Sequence, residues 1–413
     1  MQPADIAWIL AAAAMVLLMF PGLAFLYGGM LDDRNVLNML MMVMSGLAVG
    51  GVAYVVLGHG LVFGDSVGGL RLIGNPAEFA FFDAFVADDG AGGTLSAAFF
   101  ILFAAISVSL VASGAAGRMK FGAWLVFAAL WVLLVYSPLA HWVFAFDDEE
   151  TGVIGGWMAN VLGLHDYAGG TAIHMNAGAA GLALAMVLGR RHTGTAMRPH
   201  NLPLMLIGVG MLMMGWIGFN GGTAAGANHV AEYAVMTTIL ATCGGMLGFI
   251  AVERVRDGHA TLLGMGTGII ASLVAITPVA DAVHPIGAIL VGFLGAAAAA
   301  WAITWKRRHR IDDSMDVFAV HGIAGIAGAM FAVFFATAAA PAGMAGVVFG
   351  GDPSMIWREA LAIVVTLVYS FGMTYAIAWV MDRIHPIRVP EEGEELGLDR
   401  ALHAESAYDG GII

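Results

Sequence analysis

DYAGGTAIHMNAGAAGLALAMVL (166–188) places one histidine, His174, inside an apolar run, eight residues after Asp166. DSMDVFAVHGIAGIAGAMFAVFF (313–335) repeats the arrangement with Asp313 and His321. Ionisable groups at membrane depth are rare and usually functional. Eight helical residues cover about 12 Å of axis, so each aspartate stands at the end of a membrane helix and each histidine near its middle. The pairing predicts an internal repeat. If the two copies are inserted upside down relative to each other, both histidines meet near the bilayer midplane, where inverted-repeat transporters hold their substrates.

Composition sets the class. Sixty per cent of the residues are hydrophobic and 11% are charged, with a mean hydropathy of +0.85. Such a chain is dissolved mostly in lipid, which excludes a soluble enzyme. The first apolar run, Ile6 to Tyr27, has no Lys or Arg before it and is too long for a signal-peptide core, so it reads as a retained span. A single cysteine, Cys243, rules out an intrachain disulfide and reads as a small residue packed in a helix. No Cys/His spacing resembles a zinc or iron–sulfur site, so no metal and no cofactor is expected.

Counting apolar stretches of about 20 residues predicts an all-α polytopic membrane protein with eleven transmembrane helices. They fall near 5–29, 37–63, 95–116, 121–144, 167–189, 202–225, 230–252, 262–280, 284–305, 317–338 and 356–381. Basic residues orient them. One alternating set of loops carries Arg34; Arg118 and Lys120; Arg190, Arg191 and Arg198; Arg254 and Arg256; Lys306, Arg307, Arg308 and Arg310; then Arg383, Arg388 and Arg400. Only Arg71 and Arg358 fall in the other set. By the positive-inside rule the N-terminus is outside and the C-terminus cytoplasmic.

The net charge of −13 is distributed by side. Outer loops hold Asp88, Asp89, Asp147, Asp148, Glu149 and Glu150, and the tail holds Glu391, Glu392, Glu394, Glu395, Asp399, Glu405 and Asp409. An acidic outer face concentrates cations modestly under salt screening; plain solvated loops account for the same residues. No feature suggests nucleic acid.

With this topology the first five spans and the next five run in opposite senses, an inverted 5+5 repeat plus an eleventh helix. Repeat one covers about 1–190, repeat two about 200–338 and the eleventh helix about 356–381, within a membrane domain of 1–382; a cytoplasmic tail, 383–413, follows. His174 and His321 then occupy corresponding helices, with Asp166 and the repeat-related structural acid Asp313 at opposite faces. Glycines and alanines crowd both helices and permit close packing.

A lone histidine in an apolar helix is ordinarily a satisfied core residue, and symmetry is what favours a working pair here. Two neutral imidazoles in contact share one hydrogen bond and leave their outer nitrogens to a narrow lumen. Such a lumen suits a small polar solute that both donates and accepts. Alkali ions would have to cross apolar walls while charged, at a cost of several kcal/mol.

Four segments, YGGMLDDRNVLNM (27–39), DYAGGTAIHMNAG (166–178), GWIGFNGGTAAGAN (215–228) and DDSMDVFAVHGIAGIAG (312–328), resemble the signatures of the ammonium transporter family, Amt/Mep/Rh. Polar and acidic with Gly and Pro, the tail 383–413 reads by composition as a disordered solvated end. Its stretch VPEEGEELGLDRALHAESAYD (389–409), in contrast, resembles the regulatory tail of the bacterial Amt branch, which implies an ordered segment against the cytoplasmic face. The resemblance runs over nearly the whole chain. It implies that His174 and His321 are the twin histidines of the pore. It implies too that Asp166 supports recruitment and deprotonation of ammonium at an outer vestibule, with Thr223 at the place of a vestibule hydroxyl. Phe103 and Phe219 match the stacked phenylalanines that close the pore, although core packing is the bland alternative for both. It further implies a homotrimer in the cell membrane, methylammonium as a substrate analogue, and a PII-type signalling protein as a partner of the tail.

One departure concerns capture of the cation. In PLAHWVF (138–144) the family often ends on tryptophan, and this chain has Phe144, with Trp142 nearby. Phenylalanine is the weaker cation–π partner, so capture is expected to be looser. Three other readings compete: a haem-binding redox protein using facing histidines, an ammonium sensor signalling through a separate partner, and a channel for carbon dioxide or urea.

Overall fold

The computed structural model describes residues 1–87, 92–192, 199–309 and 311–408. Asp88, Asp89, Arg198, Arg310 and Asp409 lie outside the described residues. Among those described, eleven helices are long and apolar enough to cross a membrane: Pro3–Met30, Val36–Phe63, Gly93–Ala115, Phe121–Phe144, Gly170–Leu188, Leu202–Thr223, His229–Asp257, Leu262–Val279, Pro285–Arg308, Phe318–Phe335 and Ser354–Ile384. No strand forms among the described residues, only isolated bridges such as Met119 with Arg388. The chain is a multi-pass membrane protein.

Several helices outrun the apolar stretches that predict them. The seventh continues through Glu253, Arg254 and Arg256 to Asp257, and the ninth through Lys306 to Arg308. Hydropathy registers only the part that lipid must solvate, whereas helical hydrogen bonding continues into the charged turn beyond it. Basic residues there also suit the negative end of the helix dipole. Cys243 is exposed on the seventh span rather than packed, because the neighbouring Gly244 supplies the close approach to Ile289 of the ninth.

The spans pack as recurring pairs. The first lies against the sixth, the third against the fifth, the eighth against the tenth, and the seventh against the ninth; the eleventh crosses the fifth. Without a hydrophobic force between helices in lipid, close van der Waals contact must hold them. Small residues make it possible. A side chain on Gly178 of the fifth span would strike the Gly322 backbone of the tenth, so these two helices touch main chain to main chain directly below the histidines.

Of the two basic residues outside the main basic set, Arg71 pairs with Asp147 through two contacts of 2.6 and 3.0 Å. Arg358 lies 3.4 Å from Asp352. The described part of the tail, to residue 408, carries two short helices, Glu391–Leu396 and Leu398–His403. Asp399 accepts from the amides of Leu37 and Asn38, at 3.0 and 2.8 Å, and thereby caps the second span.

Candidate functional site: a histidine-lined lumen

Asp166 and Asp313 start the two histidine helices in the same way. Asp166 accepts from the amides of Gly169, Gly170, Thr171 and Ala172, at 3.0, 2.7, 2.7 and 3.4 Å. Asp313 accepts from Val317 and Phe318, both at 3.1 Å, and Lys306 lies 3.9 Å from its carboxylate. The first amides of a helix have no partner within it, and a side-chain oxygen satisfies them. Three residues after each aspartate the chain turns through the left-handed region, at Gly169 (φ 105°) and Asp316 (φ 57°). Glycine meets that demand freely and aspartate is among the few side chains that tolerate it.

Both helices then open in a wide π-type turn, Gly170–Met175 and Phe318–Ile323, and each turn contains the histidine. The His174 amide reaches back five residues to the Gly169 carbonyl at 3.1 Å. Such turns are rare and occur frequently at functional sites. Here they bring the two rings edge to edge through their Nδ1 atoms. Nδ1 of His321 lies 3.2 Å from Nδ1 of His174, with ring centroids 5.3 Å apart and planes at 29°. Both are buried, at 2% and 3% exposure.

A bond between two Nδ1 atoms requires one ring to donate and the other to accept. With both rings neutral, the donating ring carries no proton on Nε2 and the accepting ring does. The pair therefore presents one acceptor and one donor to whatever lies beside it. His174 Nε2 has no protein partner. The histidines line a narrow cavity of about 10 Å³ together with Leu23, Ile106, Leu212 and Ile270. That is the room one water-sized molecule needs. Trp216 stacks on His174 at 5.2 Å and 19°, and its indole nitrogen donates to Thr277 at 2.8 Å, which fixes the plane against which the imidazole rests.

At the Asp166 side the cavity is shut by Phe103 and Phe219, whose rings stack at 4.2 Å and 7°. Phe100 touches Phe103 at 5.4 Å and Phe144 at 6.1 Å, and Thr223 donates to the Phe219 carbonyl at 2.9 Å. So His174, His321, Phe103, Phe219 and, across Phe100, Phe144 belong to one continuous column, while the Thr223 hydroxyl is bonded back to its own helix. Trp142 does not join it. Its indole donates to the Leu72 carbonyl at 2.7 Å and its ring packs on Trp157 and Tyr369. Asp166 stands at the helix end beside the column, its oxygens engaged by amides.

Sequence reasoning missed Trp216 and Phe100. Trp216 lies three residues before Phe219 in GWIGFN, one helical turn deeper on the same face, and that spacing was the available signal. Phe100 had none beyond its place in an aromatic run. Also missed was the buried arginine cluster at the Asp313 side. Arg118 donates to the carbonyls of Gly189, Gly114 and Asp312, at 2.6, 2.8 and 3.1 Å, while Arg191 pairs with Asp312 at 2.7 Å. Arg388 donates to the carbonyls of Leu188 and Arg190, both at 2.7 Å, and binds Glu394. Arg118 and Arg388 thereby satisfy the carbonyls of Leu188, Gly189 and Arg190, at and just beyond the end of the fifth span.

The sequence model described as the Ammonium Transporter Family matches residues 7–408. The chain is 61% identical over 408 residues to an ammonium transporter of Corynebacterium glutamicum, covering 99% of this chain and 90% of that one. An ammonium transporter of Bacillus subtilis is 39% identical over 412 residues, covering 99% of each. Among solved structures, Mep2 of Saccharomyces cerevisiae superposes with a TM-score of 0.83 at 29% identity, covering 95% of this chain and 88% of that one.

Proposed function

This chain belongs to the Ammonium Transporter Family, whose members transport and are not enzymes, and on that premise we propose that it conducts the nitrogen of ammonium as neutral ammonia between His174 and His321. The observation that carries the reading is the cavity of one-molecule size whose polar lining is a single imidazole pair. Ammonia both accepts and donates hydrogen bonds, which matches one bare nitrogen and one N–H. A charged ion of the same size would lose its hydration with nothing to replace it, at a cost of several kcal/mol.

Ammonium collects at an outer site formed by Phe144, Phe100 and Thr223, and gives up its proton there, at the Phe103–Phe219 stack, with the charge of Asp166 nearby. Asp166 acts by position: its carboxylate is committed to the helix amides and supplies a fixed negative charge instead of a free base. The outer assignment of this end follows from the distribution of basic residues and from the pairing of Arg71 with Asp147. An inverted repeat is supported by the wall itself, to which spans one and six, three and eight, and five and ten contribute as pairs. The protein works in the cell membrane as a homotrimer with one pore per subunit. Its tail, docked through Asp399 and Arg388, answers a PII-type protein at the cytoplasmic face.

Uptake of labelled methylammonium by cells lacking other carriers tests the reading. Accumulation above that of vector-only cells, blocked by ammonium in excess, is expected. Equal accumulation in both would end it.

A further inference from the structure

A second small cavity of about 30 Å³, which shares no lining residue with the lumen, lies between the 163–165 segment before the fifth span, the end of the tenth span and the start of the eleventh. Two water-sized molecules fit such a space. Most of its wall is apolar, including Ala332, Val333, Met344 and Met355, and its polar lining comes from His165, Glu359 and Arg358. Glu359 is 7% exposed and its Oε1 has no hydrogen-bond partner. A buried carboxylate oxygen left open within a membrane span is costly unless something binds it.

His165 supplies the other half. Its Nε2 lies 2.9 Å from Asp281 Oδ1, so Nδ1 is the nitrogen available to the cavity. The charged groups around the space can be enumerated. His165 and Asp166 come from the segment before the fifth span, Asp281 from the loop after the eighth span, and Glu359 with Arg358 from the eleventh. Arg358 is drawn outward to Asp352, and the tenth span contributes no charge to the wall. Burial alone would lower the His165 imidazole, but the hydrogen bond and charge of Asp281, with Asp166 and Glu359 close by, more than offset it and raise its pKa above the ordinary histidine value. The imidazole therefore offers a proton where Glu359 offers a lone pair.

We propose that Glu359 and His165 form a proton-holding site that takes the proton released when ammonium enters the pore as ammonia. The step rests on the reading of the pore given above. An N–H bond of ammonium breaks and its electron pair stays on nitrogen. The proton, relayed through water past Asp166 and His165, forms an O–H bond at Glu359 Oε1. Nitrogen and proton thus part before the pore, the one entering the histidine-lined lumen and the other held at Glu359.

Currents on solid-supported membranes after an ammonium step, measured on full-length protein beside nitrogen-isotope uptake into the same proteoliposomes, test this. Wild-type protein is expected to show both. Glu359→Gln should reduce the current on the order of 100-fold, the scale of proton-transfer assistance. Glu359→Asp should restore part of it with a displaced pH profile. His165→Asn should shift that profile in the same vesicles. Infrared difference spectra across a pH step should show a carboxylic-acid band that Glu359→Gln removes, independent of any transport. Absence of nitrogen uptake by the wild type would refute the pore reading itself. Uptake without current, a Glu359→Gln current equal to the wild type in size and pH profile, or a band that survives the substitution would each overturn the proton site alone.

Discussion

His321 and His174 meet Nδ1 to Nδ1 at 3.2 Å, and a contact of that kind holds one proton and no more. Replacing His321 with leucine keeps much of the volume and removes the partner. His174 Nδ1 is then left buried without a hydrogen bond, a deficit of about 1–3 kcal/mol, and the lumen loses half its polar lining. At about 1.4 kcal/mol per tenfold, methylammonium uptake should fall by roughly 5- to 140-fold while the protein elutes as before on size exclusion. Unchanged uptake would show that the pair does not serve conduction.

Phe144 meets the gate across Phe100, which packs in turn on Phe103. Phe144→Trp should strengthen capture of the cation by part of the 0.5–2 kcal/mol range of such contacts, about a threefold lower half-saturation for methylammonium. The maximal rate should move less. A half-saturation constant that stays put would place the capture site elsewhere.

Asp166 and Asp313 each cap a histidine helix, the first with four amide bonds and the second with two. Alanine at either position should lower the thermal unfolding midpoint in detergent, by an amount corresponding to about 1–3 kcal/mol, with the larger loss at Asp166. Asp166→Asn keeps one acceptor oxygen and should fall between. Midpoints within error of the wild type for both alanine variants would contradict the capping role.

His165 gains more stability from Asp281 when its ring is protonated than when it is neutral. Because its folded-state pKa is raised, the extra contribution is complete below the unfolded value of about 6.5 and disappears as pH climbs through the folded value. Asp281→Asn should therefore melt below the wild type at about pH 6, and the gap should narrow by about pH 9. A gap independent of pH would assign the effect to packing.

Much of this was legible in the sequence because lipid enforces a simple rule. With no water to satisfy backbone groups, spans must be helices, so eleven apolar runs gave eleven helices. The histidine pair was readable because two polar exceptions at matched spacing stand out against such a background. What escaped was whatever depends on relative helix rotation. Nothing in the order of letters distinguishes Trp142, turned toward Leu72 and Tyr369, from Phe144, turned toward Phe100. The π-type turns that bring the imidazoles together have no hydropathy signature. The carbonyl-binding roles of Arg118 and Arg388 were equally hidden, since the positive-inside rule counts arginines without saying what they hold.

Arg388 links a segment outside the bilayer to the last turn of the helix that carries His174. Lifting the tail strips Leu188 and Arg190 of their donors and loosens the fifth span at its inner root. A protein that grips the tail thus has a lever on the conduit floor without entering it.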